Sequence, residues 1–372
     1  MSTAYESLFE PYTLPNGVEL KNRLALAPMT HYSSNDDGTI SDEELVYIKE
    51  RSKDLSIVIT ACANVIPNGK AFVGQPGIFS DDLLPGLTKW AKTIQAEGAK
   101  AIVQIHHGGR QCPPELVPNG DVLCASDFYE NGTKIARELT SIEIDEIITA
   151  FGEATRRAIE AGFDGIEIHG ANTYLIQQFY SPFTNSRTDK WGGSRENRMR
   201  FPLAVLKACQ EAIKKYANRP FILGYRFSPE EPSTPGLTMA DTFYLVDVLA
   251  ECGLDYLHVS LGDVQSYPHR DADTTKTRIE LINEHINGRV PFMVVGQINT
   301  PDQAIKVREQ GMPLLALGRE LLIEPRWADK VQNGQSDSIE YALKVAEKDK
   351  YLLPNNLWNI IMKREGWVPV EK

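Results

Sequence analysis

Eight short, almost wholly apolar runs recur along this chain with helical stretches between them, and this alternation constrains the fold more than any other feature. The runs are Leu24–Ala27, Ser56–Thr60, Ala101–Ile105, Gly165–His169, Phe221–Tyr225, Tyr256–Val259, Phe292–Val295 and Leu314–Leu317. Strands apolar on both sides are covered on both faces, which is the condition of a parallel sheet. The stretches Leu83–Glu97, Ser141–Ala161, Glu196–Tyr216, Met239–Cys252 and Pro301–Gln310 carry apolar residues at three- and four-residue spacing, the helical period. Thr300-Pro301 reads as a cap followed by proline at the first helical position. Gly98, Gly162, Gly253 and Gly311 each close a helical run, where a left-handed residue is favoured. Eight strand–helix units in order predict a TIM (β/α)8 barrel, as a single domain over residues 1–372. An open doubly wound sheet is the alternative, weakened because no strand is followed by Gly-x-Gly-x-x-Gly. Two long strand–helix loops, 107–140 and 181–195, and a rigid loop with three prolines, 228–236, decorate the barrel. A C-terminal helical extension occupies roughly residues 330–372.

With 372 residues the chain is long enough for one large barrel. Its net charge of −11 disfavours nucleic acid and anionic membrane as partners, since both reward an excess of Lys and Arg. No apolar run approaches the length of a bilayer span. The start, Met1-Ser-Thr-Ala-Tyr-Glu6, has neither the basic nor the apolar segment of a secretion signal. The five cysteines, Cys62, Cys112, Cys124, Cys209 and Cys252, are scattered and form no Cys-x-x-Cys. A reduced, cytoplasmic protein without a metal site is expected. His106-His107 look like a metal pair, but neighbours on a strand point to opposite faces.

In such a barrel, chemistry sits at the C-terminal ends of the strands. The fourth run delivers His169, Asn172 and Tyr174 together. A His–Asn pair can hold an anionic oxygen, and a phenol beside it can donate a proton. Gly296 and Gly318 follow the seventh and eighth runs, the common phosphate site of this fold, and Arg319 adds a fork of donors. Both glycines could instead be plain turn residues. Gln104 and Arg226 are polar groups at the ends of apolar strands and need partners. A flavin ring supplies them, Gln104 at the pyrimidine edge and Arg226 near N1. The alternative for Arg226 is a structural ion pair with Glu167. Tyr32 is either a rim phenol or aromatic packing.

Taken together these residues resemble the Old Yellow Enzyme family of FMN-dependent ene-reductases, in its single-domain bacterial form. The matching motifs are Leu8-Phe9-Glu-Pro11, Lys21-Asn22-Arg23, Ala27-Pro28-Met29-Thr30, Gln104 and His169-Gly-Ala-Asn172-Thr-Tyr174-Leu175. They continue with Ser181-Pro182-Phe-Thr184-Asn185-Ser-Arg187-Thr188-Asp189, Trp191-Gly192-Gly193-Ser194-Arg-Glu196-Asn197-Arg198, Arg226, Val295-Gly296 and Gly318-Arg319. The resemblance implies one tightly held, noncovalent FMN. Pro28, Met29, Thr30, Ala61, Gln104, Arg226, Gly318 and Arg319 fall on its flavin-binding positions. His169 and Asn172 fall on its substrate-oxygen positions, Tyr174 on its proton-donor position, and Tyr32 on a substrate-facing tyrosine of some members. Thr30 stands where one bacterial subgroup has a flavin-tuning cysteine, and Asn172 where that subgroup has a second histidine. The iron–sulfur cysteines and nucleotide-binding part of the larger two-domain relatives have no counterpart. The 181–198 loop is read as mainly structural.

The implied reaction passes a hydride from NADH or NADPH to FMN N5, then to the β-carbon of an α,β-unsaturated carbonyl compound, with Tyr174 protonating the α-carbon. Quinones, nitro compounds and nitrate esters are alternative acceptors. A phosphate-binding aldolase or isomerase is the non-flavin alternative, although no lysine falls at the strand ends for a Schiff base. A non-catalytic FMN-binding protein is disfavoured by the presence of His169, Asn172 and Tyr174. The partners expected are small molecules, with a homo-oligomer implied by the resemblance.

Overall fold

The computed structural model describes residues 4–371, so the first three residues of the segment read for a secretion signal lie outside it. Eight parallel strands form the framework: β1 (Leu24–Leu26), β2 (Ile57–Ile59), β3 (Lys100–His106), β4 (Gly165–Gly170), β5 (Ile222–Phe227), β6 (Tyr256–Ser260), β7 (Phe292–Val295) and β8 (Leu314–Leu317). Each pairs in parallel with the next. The sheet closes where β8 pairs with β1, with Leu315 opposite Leu24 and Leu317 opposite Leu26. All eight expected runs are present, and the TIM barrel replaces the open-sheet alternative.

The helices that cover the strands are α1 (Asp42–Ser52), α2 (Leu84–Ala96), α3 (Ser141–Glu160), α4 (Arg200–Tyr216), α5 (Met239–Ala250), α6 (Arg278–Ile286) and α7 (Pro301–Glu309). Local chemistry starts and stops them. Capping boxes open α1 (Ser41 with Glu44), α3 (Thr140 with Glu143), α6 (Thr277 with Glu280) and α7 (Thr300 with Gln303). Gly98, Gly162, Gly253 and Gly311 stand at φ of 82°, 86°, 67° and 90° just past their helices, as expected of left-handed stops.

Strand alternation divides the core in two. One set of side chains packs outward against the helices. The other forms a separate interior cluster that includes Ala25, Ile57, Ile59, Ile102, Ile222, Tyr256, Met293, Leu314 and Ala316. Gly224 makes room for the Tyr256 ring there, since a Cβ at this position would fall 2.2 Å from it. At the N-terminal end of the strands, a short antiparallel pair (Tyr12–Thr13 with Glu19–Leu20) adds Leu14 and Leu20 to this interior. Asn16 anchors it by bonding to Asp255, just before β6. The barrel is thus plugged at one end, and only the C-terminal end of the strands is free to build a site.

The loop 107–140 is not featureless: it carries a hairpin of Phe128–Glu130 with Thr133–Glu138. The 181–195 loop is tied to it. Arg187, buried, donates to the carbonyls of Ala125 (2.9 Å) and Leu139 (2.8 Å) and pairs with Asp189 (2.7 Å). This is the structural role expected of that stretch. After β8 come short helices α8 (Arg319–Ile323) and α9 (Trp327–Gln332), then the extension with α10 (Asn355–Lys363). The extension also contains a parallel pair, Leu343–Lys344 with Val370–Glu371, that folds its end back on itself. Among the described residues, no helix is long and apolar enough to cross a membrane.

Candidate active site at the barrel mouth

The same alternation that fills the interior selects the mouth residues. On β3, Ile102 and Gln104 face inward, and so does His106 two residues on. On β4 it is Glu167 and then His169. Register sets Glu167 opposite Gln104, His169 opposite Arg226, and Arg226 opposite His258. By register Gln104 and Glu167 form a lower layer and His169, Arg226 and His258 the layer above, with His106 two residues beyond Gln104, and His258 reaches down to join the lower one through Glu167.

The lower layer is a closed network. Glu167, fully buried, accepts from Gln104 Nε2 (2.6 Å) and faces His258 Nδ1 (2.8 Å). Burial pushes its carboxyl up, but His258, Arg226 and Gln104 outweigh this and hold it below the usual carboxylate range. Among the described residues no ion pair joins Glu167 to Arg226. In place of the ion pair weighed for Arg226, Glu167 shares a hydrogen bond with His258. Gln104 spends its amide nitrogen on Glu167, which leaves its carbonyl oxygen as the end a ligand can use.

Above this layer the chain leaves β4 through two consecutive left-handed residues, Asn172 (φ 56°) and Thr173 (φ 62°). Non-glycine residues adopt this conformation at a cost, and such strain clusters at functional sites. It turns Asn172 toward the mouth and starts the short helix Leu175–Tyr180 directly after Tyr174. Asn172 Oδ1 accepts from Ser260 Oγ (2.8 Å), and its backbone N–H donates to Ser228 Oγ (2.9 Å). With the oxygen so occupied, the Asn172 NH2 is the end left for a ligand.

His169 is buried, and burial first, then His106 and Arg226, hold it well below the usual imidazole range, so the ring is neutral. Its Nδ1 accepts from the Ala171 N–H (3.3 Å), which assigns the proton to Nε2. The His169 and Tyr174 rings meet edge to face with centroids 5.0 Å apart. Burial pushes the Tyr174 phenol up, so it keeps its proton at neutral pH.

Beside this cluster opens a cavity of about 480 Å3, lined by Pro28, Met29, Thr30, Tyr32, Asn172, Arg226, Gly296, Gly318 and Arg319 among the expected residues. Ala61, Gln104 and His169, all buried, and Tyr174, half-buried, lie outside its lining. Tyr32 serves both readings, lining the cavity and packing its ring on Phe72 at 5.5 Å. Gly296 stands at φ 143°, where a Cβ would fall 2.9 Å from the Asp263 nitrogen, and a Cβ on Gly318 would come 3.3 Å from Met29 Sδ. Two bare backbone segments and Arg319 therefore line the cavity. Buried Arg226, whose Nε has no partner among the described residues, lines the same cavity. Its volume is that of a cofactor pocket. Orphaned guanidinium, glycine cradle and Gln104 oxygen fit a flavin with its phosphate.

Gln297, Glu320, Arg364 and Trp367 are among the lining residues not singled out in the sequence. Gln297 and Glu320 sit next to expected residues. Arg364 and Trp367 come from the extension, and the Trp367 carbonyl accepts from Arg319 Nη1 at 3.3 Å. His107, next to His106, turns away: its Nδ1 accepts from Gly109 N–H and its Nε2 faces Asn68 at 3.1 Å. Among the described residues no group of His, Cys, Asp and Glu is placed to hold a metal ion.

Such a mouth is that of a barrel oxidoreductase holding a phosphorylated, ring-bearing cofactor. Residues 7–338 match the model of the NADH:flavin oxidoreductase / NADH oxidase family. The chain is 58% identical over 369 residues to a probable NADH-dependent flavin oxidoreductase, YqiG, of Bacillus subtilis, covering 99% of both chains. It is 42% identical to the NADH:fumarate oxidoreductase of Klebsiella pneumoniae, covering 96% of this chain and 39% of that protein. A structure of morphinone reductase with tetrahydroNAD superposes with a TM-score of 0.75 at 27% identity, covering 88% of this chain and 91% of that one. The chain belongs to this family, the Old Yellow Enzymes, and is an FMN-dependent oxidoreductase with NAD(P)H as hydride donor.

Proposed function

We propose that this protein reduces an alkene activated by an adjacent carbonyl-type group, through one site shared by nicotinamide and substrate. The observation that carries the reading is the fixed polarity at the end of β4: His169 Nε2–H and the Asn172 NH2 are both left as donors, with the Tyr174 phenol packed on His169. Relatives named for fumarate, acrylate and morphinone reduction support it.

FMN, when bound, would supply the redox chemistry, hydride transfer between NAD(P)H and the β-carbon of the alkene. Gly296, Gly318 and Arg319 would hold its phosphate end. Arg226 and Gln104 would hold its ring, and Pro28, Met29 and Thr30 would line its bed. His169 and Asn172 hold the substrate oxygen and stabilise the negative charge that develops there. Neutral donors suit this role, since they polarise the oxygen without an ion pair that would hold the product. Tyr174 gives its proton to the α-carbon, and Tyr32 borders the substrate. The whole chain acts as one domain, the extension contributing Arg364 and Trp367 to the cavity.

The test is an anaerobic visible spectrum of the purified protein, titrated with NADH or NADPH and then 2-cyclohexenone. A yellow band that bleaches with nicotinamide and returns with the enone is expected. Bleaching without return sinks alkene reduction and moves the acceptor to quinones or nitro compounds.

A further inference from the structure

His106 is a third imidazole in this mouth, and the mechanism above leaves it unused. Its ring is fully buried, 5.3 Å from His169 and 4.3 Å from Tyr174 between centroids. Its protonation can be assigned from its surroundings. Gln75, also fully buried, accepts the Ala71 N–H on Oε1 at 2.6 Å, which fixes the orientation of its amide. Gln75 Nε2 then donates to the Cys62 carbonyl (3.1 Å) and faces His106 Nδ1 at 3.0 Å. Nδ1 therefore accepts. Burial, then His107, keeps the ring uncharged, so its one proton is on Nε2. That Nε2–H has no partner among the described residues. Buried donors are almost always paired, because one left unpaired loses its water and gains nothing in return. A donor held at such cost beside His169 and Tyr174 calls for an acceptor that arrives with the substrate.

The acceptor cannot be the oxygen already described. A carbonyl oxygen offers two lone pairs, and His169 Nε2–H and the Asn172 NH2 take both. A third donor needs a second oxygen. Resting on the functional reading above, we propose that His106 is a specificity-determining residue whose Nε2–H binds the second oxygen of a two-oxygen activating group. The site then favours alkenes conjugated to a carboxylate, an ester or a nitro group over those conjugated to a ketone.

The probes are benzoate, methyl benzoate and nitrobenzene, each with two oxygens, and acetophenone with one. None carries a reducible alkene, so binding to the oxidised FMN-loaded enzyme is read from the perturbed flavin absorbance. In His106→Phe, which keeps a ring against Tyr174, at least one two-oxygen probe loses about tenfold in affinity while acetophenone is unchanged. The probe or probes affected identify the group. Equal affinity for all four in variant and wild type, or an equal loss for all, overturns the proposal. Acetophenone failing to perturb the wild-type flavin overturns the oxygen-holding reading itself, a different outcome from failure of His106 alone. Retained flavin reports that the variant has folded. On the unsubstituted enzyme, 15N shifts of His106 are expected to show Nδ1 bare and Nε2 protonated, with the Nε2–H signal moving on addition of an affected two-oxygen probe. A protonated Nδ1 overturns the assignment.

Discussion

His169, Asn172 and Tyr174 were legible in the sequence because one short run carries all three, and local geometry keeps such residues together. Their polarity was not legible. It is set by Ser228 and Ser260, 56 and 88 residues away from Asn172, and by the Ala171 N–H against His169. The proton-donor role proposed for Tyr174 makes a sharp prediction. Tyr174→Phe retains FMN and its bleaching by NAD(P)H, and slows the return of the flavin band with enone by about 10²–10⁴-fold, the usual worth of a positioned acid. Return at the wild-type rate in stopped flow would remove Tyr174 from the chemistry. A second prediction concerns Glu320, a cavity residue that sequence reading passed over. It is almost fully buried, its Oε1 has no partner among the described residues, and burial followed by the charge of Glu324 raises its carboxyl to about 8. Unfolded, it titrates near ~4.3. The folded state therefore binds this proton more tightly. The resulting stability is full below about pH 4 and is lost as pH rises through 8. In the apo-protein, Glu320→Gln removes that slope. Its melting temperature exceeds the parent's at pH 9, and the gap closes or reverses at pH 5, a change of roughly 2–4 kcal/mol. Parallel melting curves across this range refute the assignment.

The strands and most barrel helices could be read because each rests on a short-range pattern: an apolar run, a 3.6-residue stripe, a glycine stop. Helices α1 and α6 were passed over, although their capping boxes, Ser41/Glu44 and Thr277/Glu280, stand in the sequence. The hairpin inside the 107–140 loop escaped because its strands are largely exposed and lack a buried face to impose alternation. Where caps start helices, their removal should cost stability and nothing else. Thr140→Ala deletes the acceptor for the Glu143 N–H at the start of α3. It should lower unfolding stability by about 1 kcal/mol in urea titration, with kcat on enone unchanged. A loss of turnover at full flavin content would mean that α3 positions the site rather than supporting it.

In the molecule as a whole, the cavity belongs to no single element. Its walls come from β1, β5, β7 and β8 and from an extension whose Arg364 and Trp367 lie near the C-terminus. A ligand bridging so many segments binds the folded state alone. FMN added to apo-protein should therefore raise the melting temperature in a concentration-dependent way, by about 2.7 kcal/mol of stability at a hundredfold excess over Kd. A melting temperature indifferent to FMN would contradict a preformed site. The barrel, its strand order and the run bearing His169 follow from the amino-acid pattern, because periodicity and helix stops act over a few residues and survive in a linear reading. Which donors point into the mouth, which glutamate pairs with His258, and which residues of the extension line the cavity were decided by the closed barrel. Those contacts join positions tens to hundreds of residues apart, and only strand register and closure bring them within reach of a hydrogen bond.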